Sequence, residues 1–217
     1  MNVKILLADD HKIVREGLRS LLREHPRVEV VGEAGNGYQA VELARELAPD
    51  VVIIDVAMPL LNGIEATRQI LRDNPNTKVL ALSMYSSLRY VMEMFKAGAL
   101  GYLPKECVFK ELVFAVETIL LNKRYLSPNK NMAGNLVSKY LEKSQDAEPV
   151  FSILTPRERQ IIQLIAEGKT RKQIAAALFI SEKTVGAHHR KITQKLGIKG
   201  IAELTKYAIR AGLTSLH

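Results

Sequence analysis

The sequence predicts an α/β domain with a parallel sheet, followed by an all-helical domain. Over residues 1–121, short apolar runs typical of buried strands alternate five times with segments whose apolar residues recur at helical spacing. After residue 150 only the helical spacing continues. The net charge also changes, from −2 over residues 1–121 to +8 over residues 151–217. Alternating strands and helices imply a parallel sheet covered on both faces. The basic last third implies an acidic polymer as its partner.

The composition and the lengths of the apolar runs indicate the domain count, the state of the cysteine and the cellular compartment. The 217 residues are enough for one large domain or two small ones. The single cysteine, Cys107, lies outside any Cys/His cluster, so we expect a small core side chain in a reducing compartment. An acidic pair follows the first apolar run, which argues against a signal peptide, and no apolar run reaches the roughly 18 residues of a membrane helix. We therefore expect a soluble, cytoplasmic protein without membrane contact.

The elements of the first domain are separated by clear turn signals. Gly35-Asn36-Gly37, Pro49-Asp50 and Asn74-Pro75-Asn76 each interrupt the apolar periodicity. The predicted elements, in order, are strand 3–8, helix 12–23, strand 28–33, helix 38–47, strand 51–55, helix 62–72, strand 78–83, helix 87–97, a very short strand ending at 103, and helix 108–121.

The third strand carries the first functional candidate. Four apolar residues, 51–54, predict a strand buried on both faces, and Asp55 stands at its carboxyl end. Ligands of open parallel sheets bind at that edge. A flavodoxin-like strand order, 2-1-3-4-5, puts the ends of strands one and three side by side, so that Asp9, Asp10 and Asp55 converge. A lone aspartate after a strand is more often a helix cap or a turn residue, but this combination is more specific.

Three carboxylates in one crevice repel each other, which favours a bound divalent cation of the Mg²⁺ type. Such a site suits a phosphate acceptor, and we assign that role to Asp55. Two further groups are expected to hold the phosphoryl oxygens, the hydroxyl of Ser83 after strand four and the cation of Lys105 after strand five.

Residues 122–150 are predicted to be a linker with a helix over 131–143. In the basic domain, residues 151–217, Thr155-Pro156-Arg157-Glu158 predicts a capped helix that ends at Gly168. Further helices are expected over 170–178, from a cap at Ser181 to 196, and over 201–211. Two short helices joined by a tight turn suggest a helix-turn-helix.

The third of these helices has two different faces. An apolar face is expected to pack inward, and the opposite face fits the major groove of DNA. The inward positions are Val185, His188, Ile192 and Leu196, and the outward positions are Lys183, Gly186, Ala187, Arg190 and Gln194.

These motifs match a known family. Residues 1–121 resemble the CheY-like receiver domain of two-component response regulators, and residues 151–217 resemble the LuxR-type helix-turn-helix of the NarL/FixJ class. The resemblance implies that Asp55 is the phosphoacceptor, with Ser83 and Lys105 on the phosphoryl group. It implies Mg²⁺ ligands at Asp10, Asp55, Asp9 through water, and the backbone carbonyl of Ala57. Tyr102 falls at the switch position that turns inward, and its alternative is an ordinary core aromatic.

The resemblance also implies a mechanism of control. A sensor histidine kinase phosphorylates the receiver, which then controls dimerisation and binding to double-stranded DNA, with RNA polymerase as a further candidate partner. Base contacts are implied at Gly186, Ala187 and Arg190, and phosphate contacts at Lys183, Thr184, His188 and Lys191, with a packed or capping role as the alternative for His188. The implied dimer surface includes Ile201, Leu204 and Ala208, and its alternative is core packing.

Two other classes of protein share part of this pattern. An aspartyl-phosphate hydrolase also uses an aspartate after a strand, but it needs a second acid two residues later, where this chain has Ala57. A small-ligand sensor on the same DNA-binding domain would have a largely apolar pocket, whereas this one holds three carboxylates and Lys105. We therefore expect a transcription regulator rather than an enzyme.

Overall fold

The computed structural model describes residues 2–84, 88–128, 153–198 and 200–214, apart from the side chains at 107, 109 and 110. The chain divides into two compact units, one within residues 1–145 and one within residues 146–217. The Cys107 side chain, the first residue of the helix expected over 87–97 and the helix expected over 131–143 lie outside the described part.

The first unit is built on a six-stranded parallel sheet, in the order β2-β1-β3-β4-β5-β6. The first five strands have the flavodoxin-like order that the sequence predicts. The sixth strand was not predicted, because its two residues are too few to show a periodicity. The strands are Val3–Ala8 (β1), Val28–Ala34 (β2), Val51–Asp55 (β3), Lys78–Ser83 (β4), Gly101–Pro104 (β5) and Tyr125–Leu126 (β6).

Five α-helices connect these strands, and the predicted helices agree with them to within about one residue at each end. They are Lys12–Arg23 (α1), Gly37–Leu47 (α2), Gly63–Asp73 (α3), Leu88–Lys96 (α4) and Val108–Leu120 (α5). A short 3₁₀ turn, Lys105–Cys107, joins β5 to α5.

The core lies on both faces of the sheet. In β3, Val52 and Ile54 pack into the cluster under α2, α3 and α4, whereas Val51 and Ile53 pack into the cluster under α1 and α5. All four are buried, as expected for a strand in the middle of a covered parallel sheet. The rigid centre of this sheet therefore positions Asp55.

The described residues of the second unit form four helices, Pro156–Ala166 (α6), Arg171–Ala177 (α7), Glu182–Leu196 (α8) and Ile201–Ala211 (α9). Thr155 and Glu158 form a capping box at the start of α6, and Ser181 caps α8 by accepting a hydrogen bond from the Thr184 amide. Phe179 has φ 53°, a left-handed conformation in the turn between α7 and α8.

An ion pair ties α8 to α6. Lys195 Nζ lies 2.7 Å from Glu158 Oε2, and Glu158 is buried. Burial acts to raise the pKa of the Glu158 carboxyl, but its hydrogen bonds with Lys195 and the Thr155 amide outweigh burial and lower that pKa. The pair joins the end of α8 to the start of α6.

Candidate functional site

The carboxyl ends of β1, β3 and β5 bring two carboxylates and one cation together. Lys105 Nζ lies 2.7 Å from Asp9 Oδ2 and 2.8 Å from Asp55 Oδ2. Asp9 is 1% exposed and Asp55 is 3% exposed. Asp10 is next to them and less deeply buried. The convergence of these four residues was predicted from the strand order, since neighbouring parallel strands end at the same edge.

In this cluster, burial and the neighbouring charges shift the pKa values of Asp55 and Lys105 in opposing directions. Burial raises the pKa of the Asp55 carboxyl above its ordinary value, and the Lys105 cation offsets this only in part. Burial alone would lower the pKa of Lys105, but the charges and hydrogen bonds of Asp55 and Asp9 raise it above its ordinary value. Lys105 therefore stays charged beside the two carboxylates.

Helix α3 closes one side of the site, and a glycine permits its approach. A Cβ atom on Gly63 would lie 2.0 Å from the Asp55 carbonyl oxygen, which is far inside van der Waals contact. The Gly63 amide donates to the Val56 carbonyl at 2.9 Å. The Ala57 amide lies 3.3 Å from Asp55 Oδ1 and donates to it, which fixes the orientation of that carboxylate. The loop after β3 thus holds Asp55 from its backbone.

Ser83 lies at the carboxyl end of β4 as predicted, Tyr102 lies within β5, and both are buried. Their hydroxyl groups share a hydrogen bond. Burial raises the pKa of the Tyr102 phenol well above its ordinary value, and the hydrogen bond with Ser83 lowers it only slightly. Tyr102 therefore points inward and contacts the site through Ser83.

Two residues of the site were not singled out from the sequence. His11 Nδ1 lies 2.9 Å from Asp10 Oδ1 and 3.3 Å from Asp9 Oδ1. Arg15 Nη1 donates to the Asp9 carbonyl at 2.6 Å, and its Nε lies 3.3 Å from Glu33 Oε2. His11 follows the acidic pair directly and Arg15 lies five residues after it, so their position in the sequence was the available signal.

The residues present fit a divalent cation. Oxygen or nitrogen atoms of Asp9, Asp10, His11 and Asp55 all lie within 4.8 Å of one another. Asp10 Oδ1 is buried and, among the described residues, accepts no hydrogen bond of normal geometry, although His11 Nδ1 is nearby. Three carboxylates and one lysine leave a net negative charge in a buried site, and hard oxygen ligands suit Mg²⁺. This acidic cluster could hold a metal ion.

In the second unit, helix α8 places most predicted DNA contacts on its outer side. Lys183, Arg190 and Lys191 are exposed, and Thr184, Ala187 and His188 are partly exposed. Val185 and Ile192 are buried, as predicted for the inward face, and Leu196 is partly buried. Gly186 differs from the expectation, because it is buried rather than exposed. The nearest atom to a Cβ built on Gly186 is Arg190 Nη1, at 4.0 Å.

The expected dimer surface needs a correction. Leu204 and Ala208 are fully buried within the second unit, where α9 packs against α6, so the core-packing alternative holds for these two residues. Ile201 is 64% exposed and keeps the accessibility that a contact residue needs. The sequence could not separate the two roles, because core packing and dimerisation both select apolar residues at helical spacing. Among the described residues, no helix has the length and apolarity to cross a membrane.

Comparison with known proteins agrees with both units. Residues 5–117 match the response regulator receiver domain, and residues 152–208 match the bacterial regulatory proteins of the luxR family. The oxygen regulatory protein NreC of Staphylococcus carnosus is 38% identical over 216 residues, covering 97% of this chain and 99% of NreC. The transcriptional regulatory protein LiaR of Bacillus subtilis is 38% identical over 213 residues, covering 98% of this chain and all of LiaR.

Solved structures show the same pattern. The RcsB response regulator of Salmonella typhimurium aligns with a TM-score of 0.65 at 26% identity, over 97% of this chain and 98% of RcsB. RcsB bound to a promoter in the presence of the phosphomimetic BeF₃⁻ aligns with a TM-score of 0.61 at 27% identity, over 95% of this chain and 98% of RcsB. The chain therefore belongs to the two-component response regulators of the NarL/FixJ class, transcription regulators that join a receiver domain to a LuxR-type DNA-binding domain.

Proposed function

We propose that Asp55 accepts a phosphoryl group from a sensor histidine kinase and that this modification controls DNA binding by the second unit. One observation carries the proposal: Lys105 lies within 2.8 Å of both Asp9 and Asp55 in a buried pocket at the carboxyl edge of the sheet. A carboxylate beside a fixed cation is a positioned nucleophile, and the cation can stabilise phosphoryl charge.

The transfer conserves atoms and electrons. An Asp55 carboxylate oxygen bonds to phosphorus while the bond from phosphorus to the kinase histidine nitrogen breaks, and that nitrogen keeps the electron pair. Lys105 would move from its carboxylate partners to the new phosphoryl oxygens. Mg²⁺, when held by Asp10, Asp55 and the Ala57 carbonyl, and by Asp9 through water, would neutralise charge on the phosphoryl oxygens.

Ser83 connects the phosphoryl site to Tyr102. Its hydroxyl has one proton, so donating that proton to a phosphoryl oxygen changes the hydrogen bond that it shares with Tyr102. Tyr102 is buried on β5, next to the turn that leads into α5. A change at Ser83 would therefore alter the packing of Tyr102 against α4, which is the switch that we propose.

The second unit would bind double-stranded DNA through α8. Arg190 is a candidate for base readout in the major groove, together with Ala187, whereas the burial of Gly186 argues against a base contact there. Lys183, Thr184, His188 and Lys191 are candidates for phosphate contacts. An RcsB–DNA complex and RcsB dimers on DNA are known structures, and their likeness to this chain supports a dimer on DNA. Ile201 remains the dimer candidate on α9.

The proposal also includes the domain bounds and the cellular location. The receiver occupies residues 1–121, residues 122–150 act as the linker, and residues 151–217 bind DNA. Family membership supports a cytoplasmic location, where the kinase domain, the DNA and RNA polymerase would all be accessible.

Phosphorylation of the full-length chain with acetyl phosphate tests the proposal. Wild-type protein should incorporate phosphate in a Mg²⁺-dependent reaction, and genomic footprinting should then show stronger protection of specific sites. Asp55→Asn should incorporate none and show no gain in protection. Asp73→Asn is the matched control on the same domain, since Asp73 pairs with Arg45 away from the site. If Asp55→Asn responded to acetyl phosphate as wild type does, the assignment of Asp55 would be wrong.

A further inference from the structure

His11 occupies the start of α1, where a side chain that caps the helix would stabilise it more than histidine does. It is the N-cap residue of α1, yet its side chain makes no capping hydrogen bond to the helix. Serine, threonine, aspartate and asparagine stabilise such a position by about 1 kcal/mol relative to residues that do not cap. The imidazole instead lies against the acidic pair that precedes it. Its placement thus needs an explanation other than helix stability.

The distances around His11 match those between the ligands of one metal ion. Nδ1 lies 3.3 Å from Asp9 Oδ1 and 2.9 Å from Asp10 Oδ1. Ligand atoms about 2.1 Å from a metal and about 90–109° apart lie roughly 3.0–3.4 Å from each other. Both carboxylate oxygens therefore lie at ligand-to-ligand spacing from His11 Nδ1, and ligand atoms of Asp9, Asp10, His11 and Asp55 all lie within 4.8 Å of one another.

The two oxygens of Asp9 face different partners. Oδ2 contacts the Lys105 cation, whereas Oδ1 accepts a hydrogen bond from the His11 amide at 2.9 Å and faces the imidazole. Lys105 therefore neutralises the side of the pocket towards Asp55. Asp10 Oδ1, which lies 2.9 Å from His11 Nδ1, is buried and accepts no hydrogen bond of normal geometry from the described residues. A cation placed between Asp9 Oδ1, Asp10 and His11 would neutralise the side towards His11.

We propose that His11 Nδ1 is a metal ligand and that, through it, the acidic site also takes a divalent transition metal ion of the Co²⁺ or Zn²⁺ type. Imidazole is a good ligand for these ions, whereas Mg²⁺ prefers oxygen ligands and water. The same carboxylates thus bind Mg²⁺ without His11 and bind a transition metal ion with it. This inference rests on the proposed function, because both ions share Asp9 and Asp10.

Cobalt binding to the full-length protein tests this assignment. Co²⁺ titration followed by visible absorption should show a band that reports nitrogen ligation, with an affinity at least about tenfold higher than that for Mg²⁺ measured by calorimetry. His11→Ala should lose the band and weaken Co²⁺ binding by about tenfold or more, while Mg²⁺ affinity changes by less than about twofold. His11→Asn removes the imidazole but supplies a good N-cap, so it guards against a folding defect in His11→Ala.

His25→Ala is the matched control. It removes a histidine from the other end of the same helix, and both its Co²⁺ band and its affinity should equal those of wild type. Equal Co²⁺ affinity and spectra in wild type and both His11 variants would overturn the inference, even with Mg²⁺ binding intact. Phosphate incorporation at Asp55 with Mg²⁺ is measured separately, so failure of the proposed function would appear there and not in the cobalt spectra.

Discussion

At Asp55, burial and charge oppose each other, and only part of this balance could be predicted from the sequence. The strand pattern was enough to place Asp55 beside Asp9 and Lys105, because parallel strands end at a common edge. The contact of His11 with both aspartates depends on a side-chain rotation at the start of α1, which no periodicity encodes. Strand topology therefore predicts which residues meet, and side-chain packing decides which atoms touch.

Replacing Asp55 by asparagine should stabilise the metal-free protein at neutral pH. Folding raises the pKa of the Asp55 carboxyl, chiefly by burial, so the folded state disfavours its ionised form. The folded protein therefore binds the Asp55 proton more tightly than the unfolded chain does. The stability that this proton binding contributes is present at acid pH and is lost as the pH rises through the folded pKa. Asp55→Asn, which mimics the neutral form, should therefore raise the free energy of unfolding by about 1 kcal/mol at pH 7. The gain should vanish near pH 4, as measured by urea unfolding in chelator.

The control for this measurement is Asp73→Asn. Hydrogen bonds from Arg45 and Arg72 lower the pKa of Asp73, so its ionised form is favoured in the folded state. This variant should give no gain in stability at pH 7. A loss of stability in Asp55→Asn at pH 7 would show that the ion pair with Lys105 outweighs the cost of burial.

At the scale of the element, helix α8 combines predictable and unpredictable features. Its start at the Ser181 cap and its inward face at Val185 and Ile192 follow from the sequence. The burial of Gly186 and the ion pair from Lys195 to Glu158 do not, since both depend on how α8 packs in the folded unit. The two-residue strand β6 was missed for a related reason, because tertiary pairing with β5 defines it rather than its own pattern.

Gly186→Ala should stabilise the DNA-binding unit. The Cβ would meet only Arg190 Nη1, at 4.0 Å, which is an ordinary contact distance. Alanine inside a helix is favoured over glycine by about 1 kcal/mol, so we expect amide protection of α6 and α8 to rise by a comparable free energy in hydrogen exchange. Gly197→Ala is the control of opposite sign, because Gly197 ends α8 with φ 66°, where a side chain is strained. Lower protection in Gly186→Ala would mean that the Arg190 side chain cannot yield.

Lys195→Met should destabilise the same unit, and the effect should depend on pH. The pKa of Glu158 is lowered in the folded state, so the stability that its ionised form contributes is present above the ordinary value of 4.5 and is lost as pH falls through the folded pKa. We expect a loss of about 1–2 kcal/mol at pH 7 in urea unfolding, which shrinks as the pH falls below 4.5. Lys191→Met, an exposed position on the same helix, should leave stability nearly unchanged. A loss that persists undiminished at pH 3 would assign the effect to packing of the lysine stem.

At the scale of the whole molecule, the asymmetric charge was the clearest sequence signal of function. The first 121 residues carry a net charge of −2 and the last 67 carry +8, and the comparisons assign these parts to a receiver and a DNA-binding domain. The dimer surface was less predictable, because Leu204 and Ala208 belong to the core and only Ile201 is exposed. Charge is visible in a sequence, whereas the choice between core and interface requires the packed structure.

DNA binding should therefore depend steeply on salt, and the slope should identify the phosphate contacts. In the proposed dimer, each DNA-binding unit has Lys183 and Lys191 on the outer side of α8. The dimer therefore presents four such lysines. Neutralising on the order of four phosphates gives a slope near −4 for log K against log salt concentration. Lys191→Gln should reduce the magnitude of that slope by about two, because each of the two DNA-binding units loses one phosphate contact. The affinities for specific and for random DNA should fall by similar factors. Arg190→Gln is the contrasting variant, because loss of a base contact should weaken the specific site far more than random DNA. Fluorescence anisotropy with both DNAs over a salt series separates the two roles, and equal losses on both DNAs for Arg190→Gln would make Arg190 a phosphate contact.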